Sequence, residues 1–202
     1  MGNRLIVATR NPDKLVEFRR ILEAGRVPVD VGDLGEYPDL PEVAETGLTF
    51  AENALLKARA VAAFTGLPAV ADDSGLCADA LNGMPGVLSA RWSGRHGDDD
   101  ANLQLVLGQL ADIPAEHRGA HFAAAAALVL PSGAERVTEG VLDGSLTTAP
   151  RGTNGFGYDP IFVPAGAELT TAEMRPADKD KISHRGRALR ALAPIIAALL
   201  GS

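Results

Sequence analysis

The sequence predicts an α/β protein. Short apolar runs alternate along the chain with segments whose apolar residues recur at helical spacing, and glycine, proline or polar stretches punctuate the joins. The length of 202 residues suits one domain, or one domain in two lobes. Such a chain buries roughly 70% of its unfolded surface and needs no disulfide or metal staple. Apolar residues make up 46% and aromatics only 4%, so the core must be built from Val, Leu, Ile and much Ala.

The opening reads strand, turn, helix. Leu5 to Ala8 is a continuous apolar run, as in a strand buried on both faces. Asn11-Pro12-Asp13-Lys14 supplies an N-cap, a proline at the first helical position and an acid in the first turn. Leu15, Phe18, Ile21 and Leu22 keep helical spacing until Gly25. Val27 to Val31 reads as a second strand and Gly32 to Gly47 as a polar connection. Thr49-Phe50-Ala51-Glu52 has capping-box form and opens a helix to about Gly66. Leu67 to Ala71 is another short strand, ending in Asp72-Asp73-Ser74-Gly75, and Ala80 to Gly97 reads as a long ordered loop. Ala101 to Leu110 is helical in pattern. His121 to Leu130 and Glu135 to Val141 read as strands joined through Pro131-Ser132-Gly133. After a glycine-rich stretch from Gly152 to Pro164, the last helix begins near Ile182 and runs to Leu199, with Pro194 kinking it or starting a new segment.

Composition narrows the function classes. Nineteen Lys and Arg against 26 Asp and Glu give a net charge of −7, which disfavours general nucleic-acid binding because no basic surplus is present to displace counterions. A small phosphorylated ligand stays compatible, since a pocket's local field can oppose the net charge. One cysteine, Cys77, cannot form an internal disulfide and agrees with a reducing compartment. No apolar run approaches the roughly 20 residues of a membrane span, and no signal-peptide architecture is evident. The expected location is the cytoplasm.

Four segments could carry chemistry. Thr9-Arg10-Asn11-Pro12-Asp13-Lys14 lies where the first strand meets its helix, a natural anion site through free amides, the helix dipole and the Lys14 cation. The same letters also describe a plain helix cap with a solvated lysine. Asp72-Asp73-Ser74-Gly75 sets two acids after a buried strand. Like charges at close range raise each other's pKa, and a Mg²⁺ ion sharing substrate phosphates would offset them, with one aspartate holding the metal and the other polarising a water. An Asx-turn with exposed carboxylates is the alternative.

Gly152-Thr153-Asn154-Gly155-Phe156-Gly157-Tyr158-Asp159-Pro160 has the glycine order G-x-x-G-x-G, a poor match to the dinucleotide fingerprint. It suits either a backbone brought close to a planar ligand, with an aromatic face for stacking, or a tight turn with its aromatics in the core. Lys179 to Arg187, with Ser183-His184-Arg185-Gly186 opening the last helix, puts cations where the dipole opposes them. An anionic or carbonyl-rich ligand would make that placement useful, and a solvated basic stretch is the plainer reading. His117 and His121 lack further zinc-type ligands at suitable spacing. No Gly-x-Ser-x-Gly elbow and no standard P-loop occurs. Cys77 reads as a small buried hydrophobe.

Taken in order, the segments resemble the family of non-canonical purine nucleoside triphosphate pyrophosphatases. The resemblance is carried by Thr9-x-Asn11-x-x-Lys14, Glu45-Thr46-Gly47-x-Thr49-Phe50-x-Glu52-Asn53-Ala54, Ala71-Asp72-Asp73-Ser74-Gly75-Leu76, Pro85-Gly86-x-x-Ser89-Ala90-Arg91, Gly155-Phe156-Gly157-Tyr158-Asp159-Pro160 and Ser183-His184-Arg185-Gly186. It covers almost the whole chain. It implies a single domain of two α/β lobes around a cleft on a long mixed β-sheet flanked by helices. The implied activity is hydrolysis of ITP, dITP and XTP to monophosphate and pyrophosphate, with Mg²⁺ as cofactor, by a homodimer.

By resemblance, Thr9 to Lys14 hold the triphosphate, Asp73 is the acid at metal and attacking water, and Asp72 supports it. Ser74 touches the substrate, and Phe156, Gly157, Tyr158, Asp159, Lys179, His184 and Arg185 surround base and sugar. Family members often carry two acids before the Thr-Gly of the second motif, whereas Ala44 precedes Glu45 here; if the first acid is the metal-associated one, its role is lost in this chain or moves to Glu45 or Glu42. Two other readings fit the same residues: a pyrophosphatase for other modified nucleotides, and a nucleotide-binding module without turnover.

Overall fold

The computed structural model describes residues 3–201. Strands and helices follow as β1 (Arg4–Val7), α1 (Pro12–Ala24), β2 (Asp30–Asp33), α2 (Phe50–Thr65), β3 (Ala69–Ala78), β4 (Met84–Pro85), α3 (Asp99–Gln109), β5 (Gly119–Val129), β6 (Glu135–Leu146), β7 (Phe162–Pro164), α4 (Pro176–Ile182) and α5 (His184–Leu200). The strands form a mixed sheet in the order β2-β1-β3-β5-β6-β7, with β4 on β3. β1 runs parallel to β2 and β3, while β4 is antiparallel to β3 and β7 to β6. Helices interleave with the strands, so the α/β expectation holds.

The chain divides into two compact units, Met1–Asp73 with Ala124–Gly140 and Arg185–Ser202, and Ser74–Ala123 with Val141–His184. The first unit has an apolar cluster on each face of its strands. Leu5, Val7, Val70, Ala124, Ala126 and Leu128 meet α1 and α5 through Phe18, Ile21, Leu22, Leu189, Leu192 and Ile196. The other faces, with Ile6, Ala69, Ala71, Ala125 and Ala127, meet α2 through Ala54, Ala58, Val61 and Ala62. Alternation along a strand sends neighbours to opposite sides, which is why both sets come from the same short runs. The second unit has its own core, in which Leu76, Leu103, Val106, Phe122, Leu146, Ile161 and Phe162 meet. Arg118 is buried beside it, satisfied by the carbonyls of Leu110, Leu146 and Thr147.

Several elements differ from the sequence expectation. β2 starts at Asp30 because Val27 donates its amide back to Leu22 at the end of α1, and Pro28 has no amide to give. Strand β3 does not stop at Ala71 but runs through Asp72, Asp73, Ser74 and Gly75 to Ala78, so the acids are not in a turn. The stretch from Ala80 to Gly97 is broken by β4 and by a 3₁₀ segment at Gly86–Arg91. β6 continues to Leu146. Lys179 and Lys181 lie on the short α4, a helix the charge run concealed. Pro194 lies inside α5 without ending it. Among the described residues no helix is long and apolar enough to cross a membrane.

Candidate active site

Asp72 and Asp73 are neighbours in β3, so their side chains leave the sheet on opposite faces. Each meets its own cations. On the α1 and α5 face, Lys14 Nζ donates to Asp72 Oδ2 at 2.9 Å and Arg185 Nε to the same oxygen at 2.9 Å. Arg185 Nη1 reaches Glu17 Oε2 at 2.9 Å, one turn along α1 from Lys14. On the α2 face, Asn53 Nδ2 donates to Asp73 Oδ2 at 3.1 Å, and Lys57 Nζ lies 3.4 Å from Asp73 Oδ1 and 2.8 Å from Glu45 Oε1. The two aspartates are therefore not a paired dyad, contrary to the sequence expectation of mutual repulsion.

Their titration differs accordingly. Burial alone would push the Asp72 carboxyl up, but Lys14 and Arg185, with Lys57 beyond, hold it well below the usual carboxylate range. Burial pushes the Asp73 carboxyl up, Lys57 opposes this and Glu45 adds to it. Burial also lowers Lys14, with Asp72 opposing and Arg185 reinforcing the effect. Asp72 is thus a fixed anion, and Asp73 the more basic carboxylate.

The segment before α2 is tied to Asp73 through Asn53, which is fully buried. Its Oδ1 accepts the Gly47 amide at 2.8 Å, and a Cβ on Gly47 would come within 2.7 Å of that oxygen, which is why Thr-Gly follows Glu45. Of the alternative acids, Glu45 joins Lys57, whereas Glu42 is exposed.

The opening helix differs in detail from a bare anion cradle. Asn11 caps α1, its Oδ1 accepting the Asp13 and Lys14 amides at 2.9 and 3.3 Å. Thr9 Oγ1 accepts the Asn11 amide at 3.1 Å, and Arg10 donates to the Leu40 carbonyl at 3.0 Å. Pro12 has no amide and Asp13 is exposed. The amides expected to be free at Asp13 and Lys14 are thus taken by the cap, and the Lys14 ammonium is bonded to Asp72.

In the second unit the glycine–aromatic loop winds around one carboxylate. Asp159, 3% exposed, accepts the Phe156 amide on Oδ2 at 2.9 Å and Lys179 Nζ on the same oxygen at 2.5 Å, with Thr171 Oγ1 on Oδ1 at 2.8 Å. Gly155 has φ +75°, and a Cβ there would run into the Asp159 carboxylate. Lys179 Nζ sits 5.5 Å from the Phe156 ring centroid, within cation–π range. Tyr158 is turned inward, donating its hydroxyl to the Ser89 carbonyl at 2.8 Å. His184 stacks on Phe122, with ring centroids 4.7 Å apart and planes 12° off parallel. Ser74 is half-buried, next after Asp73 in β3.

Sequence reasoning missed Asn53, Lys57 and Glu17 as site residues. The signal was present: Asn53 and Lys57 are one helical turn apart on the small-residue face of α2, where a polar side chain needs a partner.

Glu45 and Asp73 thus share Lys57 on one side of β3, and Lys14, Asp72, Arg185 and Glu17 form a charged network on the other. The model of the Ham1 family matches residues 5–195, and the chain belongs to that family. It is 63% identical to the dITP/XTP pyrophosphatase of Streptomyces coelicolor over 98% of this chain and 99% of that protein. The crystal structure of the nucleoside-triphosphatase / dITP/XTP pyrophosphatase from Mycobacterium abscessus is 58% identical, with TM-score 0.78, over 96% of this chain and 99% of that one. The structure of a HAM1 protein from Coxiella burnetii is 40% identical, with TM-score 0.88, over 98% of this chain and all of that one at 100%.

Proposed function

We propose that this chain hydrolyses non-canonical purine nucleoside triphosphates (ITP, dITP and XTP) to the monophosphate and pyrophosphate, clearing deaminated purines from the nucleotide pool. One observation carries the reading most directly: the buried, basic Asp73 carboxylate bridged to Glu45 by Lys57. The activity of the relatives supports it.

The charge inventory favours a divalent cation in this reaction. Lys14, Lys57 and Arg185 stand against Glu17, Glu45, Asp72 and Asp73, so the cluster carries no positive excess for a triphosphate of about −4 charge. Asp73 and Glu45 are hard oxygen donors of the number Mg²⁺ usually takes from protein, the rest of its shell being water and phosphate oxygens. Bound there, Mg²⁺ supplies charge neutralisation to the phosphates. A homodimer and a cytoplasmic location belong to the same reading, on family resemblance alone.

The chain's own residues do the rest. Lys14 and the mouth of α1 hold the triphosphate. Asp73 accepts a proton from the water that attacks the α-phosphorus, the bond to the bridging oxygen breaks, and pyrophosphate leaves. Asp72 keeps Lys14 and Arg185 in place. Phe156 offers a stacking face to the base. Because Arg185 is engaged by Asp72 and Glu17, donation to the 6-keto oxygen falls to His184 or to nearby backbone amides. Adenine presents an amino donor there, and a buried mismatch of that kind costs about 1–3 kcal/mol.

The test is pyrophosphate release from ITP, dITP, XTP, ATP and GTP, with Mg²⁺ and with chelator. ITP and XTP should exceed ATP by at least about tenfold. Asp73→Asn should lose nearly all turnover while keeping its circular dichroism and melting profile. Equal rates on ATP and ITP, or an active Asp73→Asn, would refute the assignment.

A further inference from the structure

We propose that Asp99 is a positioning residue for the purine, acting through the backbone of the glycine–aromatic loop. The proposal deepens the reading above, that Phe156 takes the base. Asp99 is the first residue of α3, and capping of that helix is done by its neighbour Asp98, whose Oδ1 accepts the Ala101 amide at 3.2 Å. The Asp99 carboxylate instead accepts the Gly157 amide on Oδ2 at 2.9 Å, across 58 residues of chain.

That bond matters because of what it completes. The peptide unit before Phe156 is held by Asp159, which accepts the Phe156 amide at 2.9 Å. The unit after Phe156 is held by Asp99. Two carboxylates therefore fix the two peptide planes that flank one Cα, and with them φ and ψ of Phe156 and the direction in which its ring leaves the backbone. The loop needs such pins. Gly155 and Gly157 both lie in the left-handed region, at φ +75° and +60°, and glycine gives a loop wide conformational freedom.

Asp159 belongs to the loop itself, whereas Asp99 comes from a helix packed into the second unit's core through Leu103 and Val106. The next residue, Tyr158, is tied to the same stretch of chain through its bond to the Ser89 carbonyl. Asn102 of α3 also takes the Ser93 amide at 2.7 Å. The segment from Ser89 to Asn102 thus acts as an external frame for the loop, and Asp99 is its contact beside the stacking ring.

Asp99→Ala removes the acceptor, and Asp99→Asn keeps an oxygen that can replace it. With Asp99→Ala, KM for ITP should rise about tenfold while kcat changes far less. Inhibition by inorganic tripolyphosphate, which has no base, should be unchanged, and hydrogen exchange at the Gly157 amide should speed up. Asp99→Asn should restore KM to near the wild-type value. An unchanged KM in Asp99→Ala, a parallel weakening of tripolyphosphate inhibition, or an Asp99→Asn variant as impaired as the alanine would each overturn the proposal. Failure of the functional reading is distinguishable, because it shows first in the unaltered chain as absence of ITP turnover. The Gly157 exchange rate would then still decide whether Asp99 holds the loop.

Discussion

Tyr158 has its hydroxyl inside the second unit, bonded to the Ser89 carbonyl, with 5% of its surface exposed. Burial, and to a lesser degree the Asp99 charge, pushes its phenol pKa upward from an ordinary value of 10.0. The folded state therefore keeps the proton longer than the unfolded state does. Stability from this group is complete below pH 10 and is lost as pH rises from there toward the folded-state value. Tyr158→Phe lacks the titrating group, so its stability should fall less steeply above pH 10, though it starts lower by about 1 kcal/mol for the lost hydrogen bond. Denaturant unfolding of both proteins between pH 8 and 11 would check this, and parallel slopes would contradict it. At this scale the letters were informative about identity and poor about direction. Asp72 and Asp73 are conspicuous as a pair, yet adjacent residues of a strand face apart, and only a strand running through them, as β3 does, separates their partners. Asn11 was legible as a cap, but its role in occupying the Asp13 and Lys14 amides follows from the cap being made.

Helix ends were legible because local chemistry alone sets them. In α2, Thr49 Oγ1 accepts the Glu52 amide at 3.1 Å, and Glu52 Oε2 accepts the Thr49 amide at 3.1 Å. Gly66 closes the helix at φ +68°, a conformation that favours glycine. The same carboxylate takes the Leu48 amide at 2.6 Å, so this box also fixes the approach of the segment that carries Glu45. Glu52→Ala, which removes the acceptor of the Leu48 and Thr49 amides, should lower stability by about 1 kcal/mol and reduce turnover more than that loss of fold explains, since Glu45 is no longer held in line with Lys57. Unfolding curves read beside the kcat of ITP hydrolysis separate the two effects, and a variant with altered stability but wild-type kcat would show the box to be only a cap. Strand limits were less legible. β2 and β3 are set by pairing across the sheet, Arg4 to Val7 against Asp30 to Asp33, and by cations from distant helices that make buried acids tolerable. No local signal contains that information.

For the whole molecule, the low aromatic content has a structural counterpart. Ala124 and Ala126 of β5 face α1 and α5, while Ala125 and Ala127 face α2 and meet its Ala54, Ala58 and Ala62, so small residues let helix and sheet approach closely. Stability from such a core is spread over many weak contacts, and the network of buried charges contributes little net on its own, because desolvation offsets much of the attraction. Lys14 is lowered by burial and Asp73 raised by it. Both strains ease when an anion meets the first and a cation meets the second. Ligand and metal should therefore stabilise the fold together more than either does alone. At a hundredfold excess over Kd, binding adds about 2.7 kcal/mol, and a chain of this size gains roughly 2–4 °C in Tm per kcal/mol. An ITP analogue with a non-hydrolysable α,β bridge, added with Mg²⁺, should raise Tm by roughly 5–10 °C. Chelator should remove most of that shift, Mg²⁺ alone should give little of it, and Asp73→Asn should blunt its metal-dependent part. The same rise with chelator present would mean that the triphosphate binds without a cation, and the roles given to Asp73 and Glu45 would then have to be abandoned.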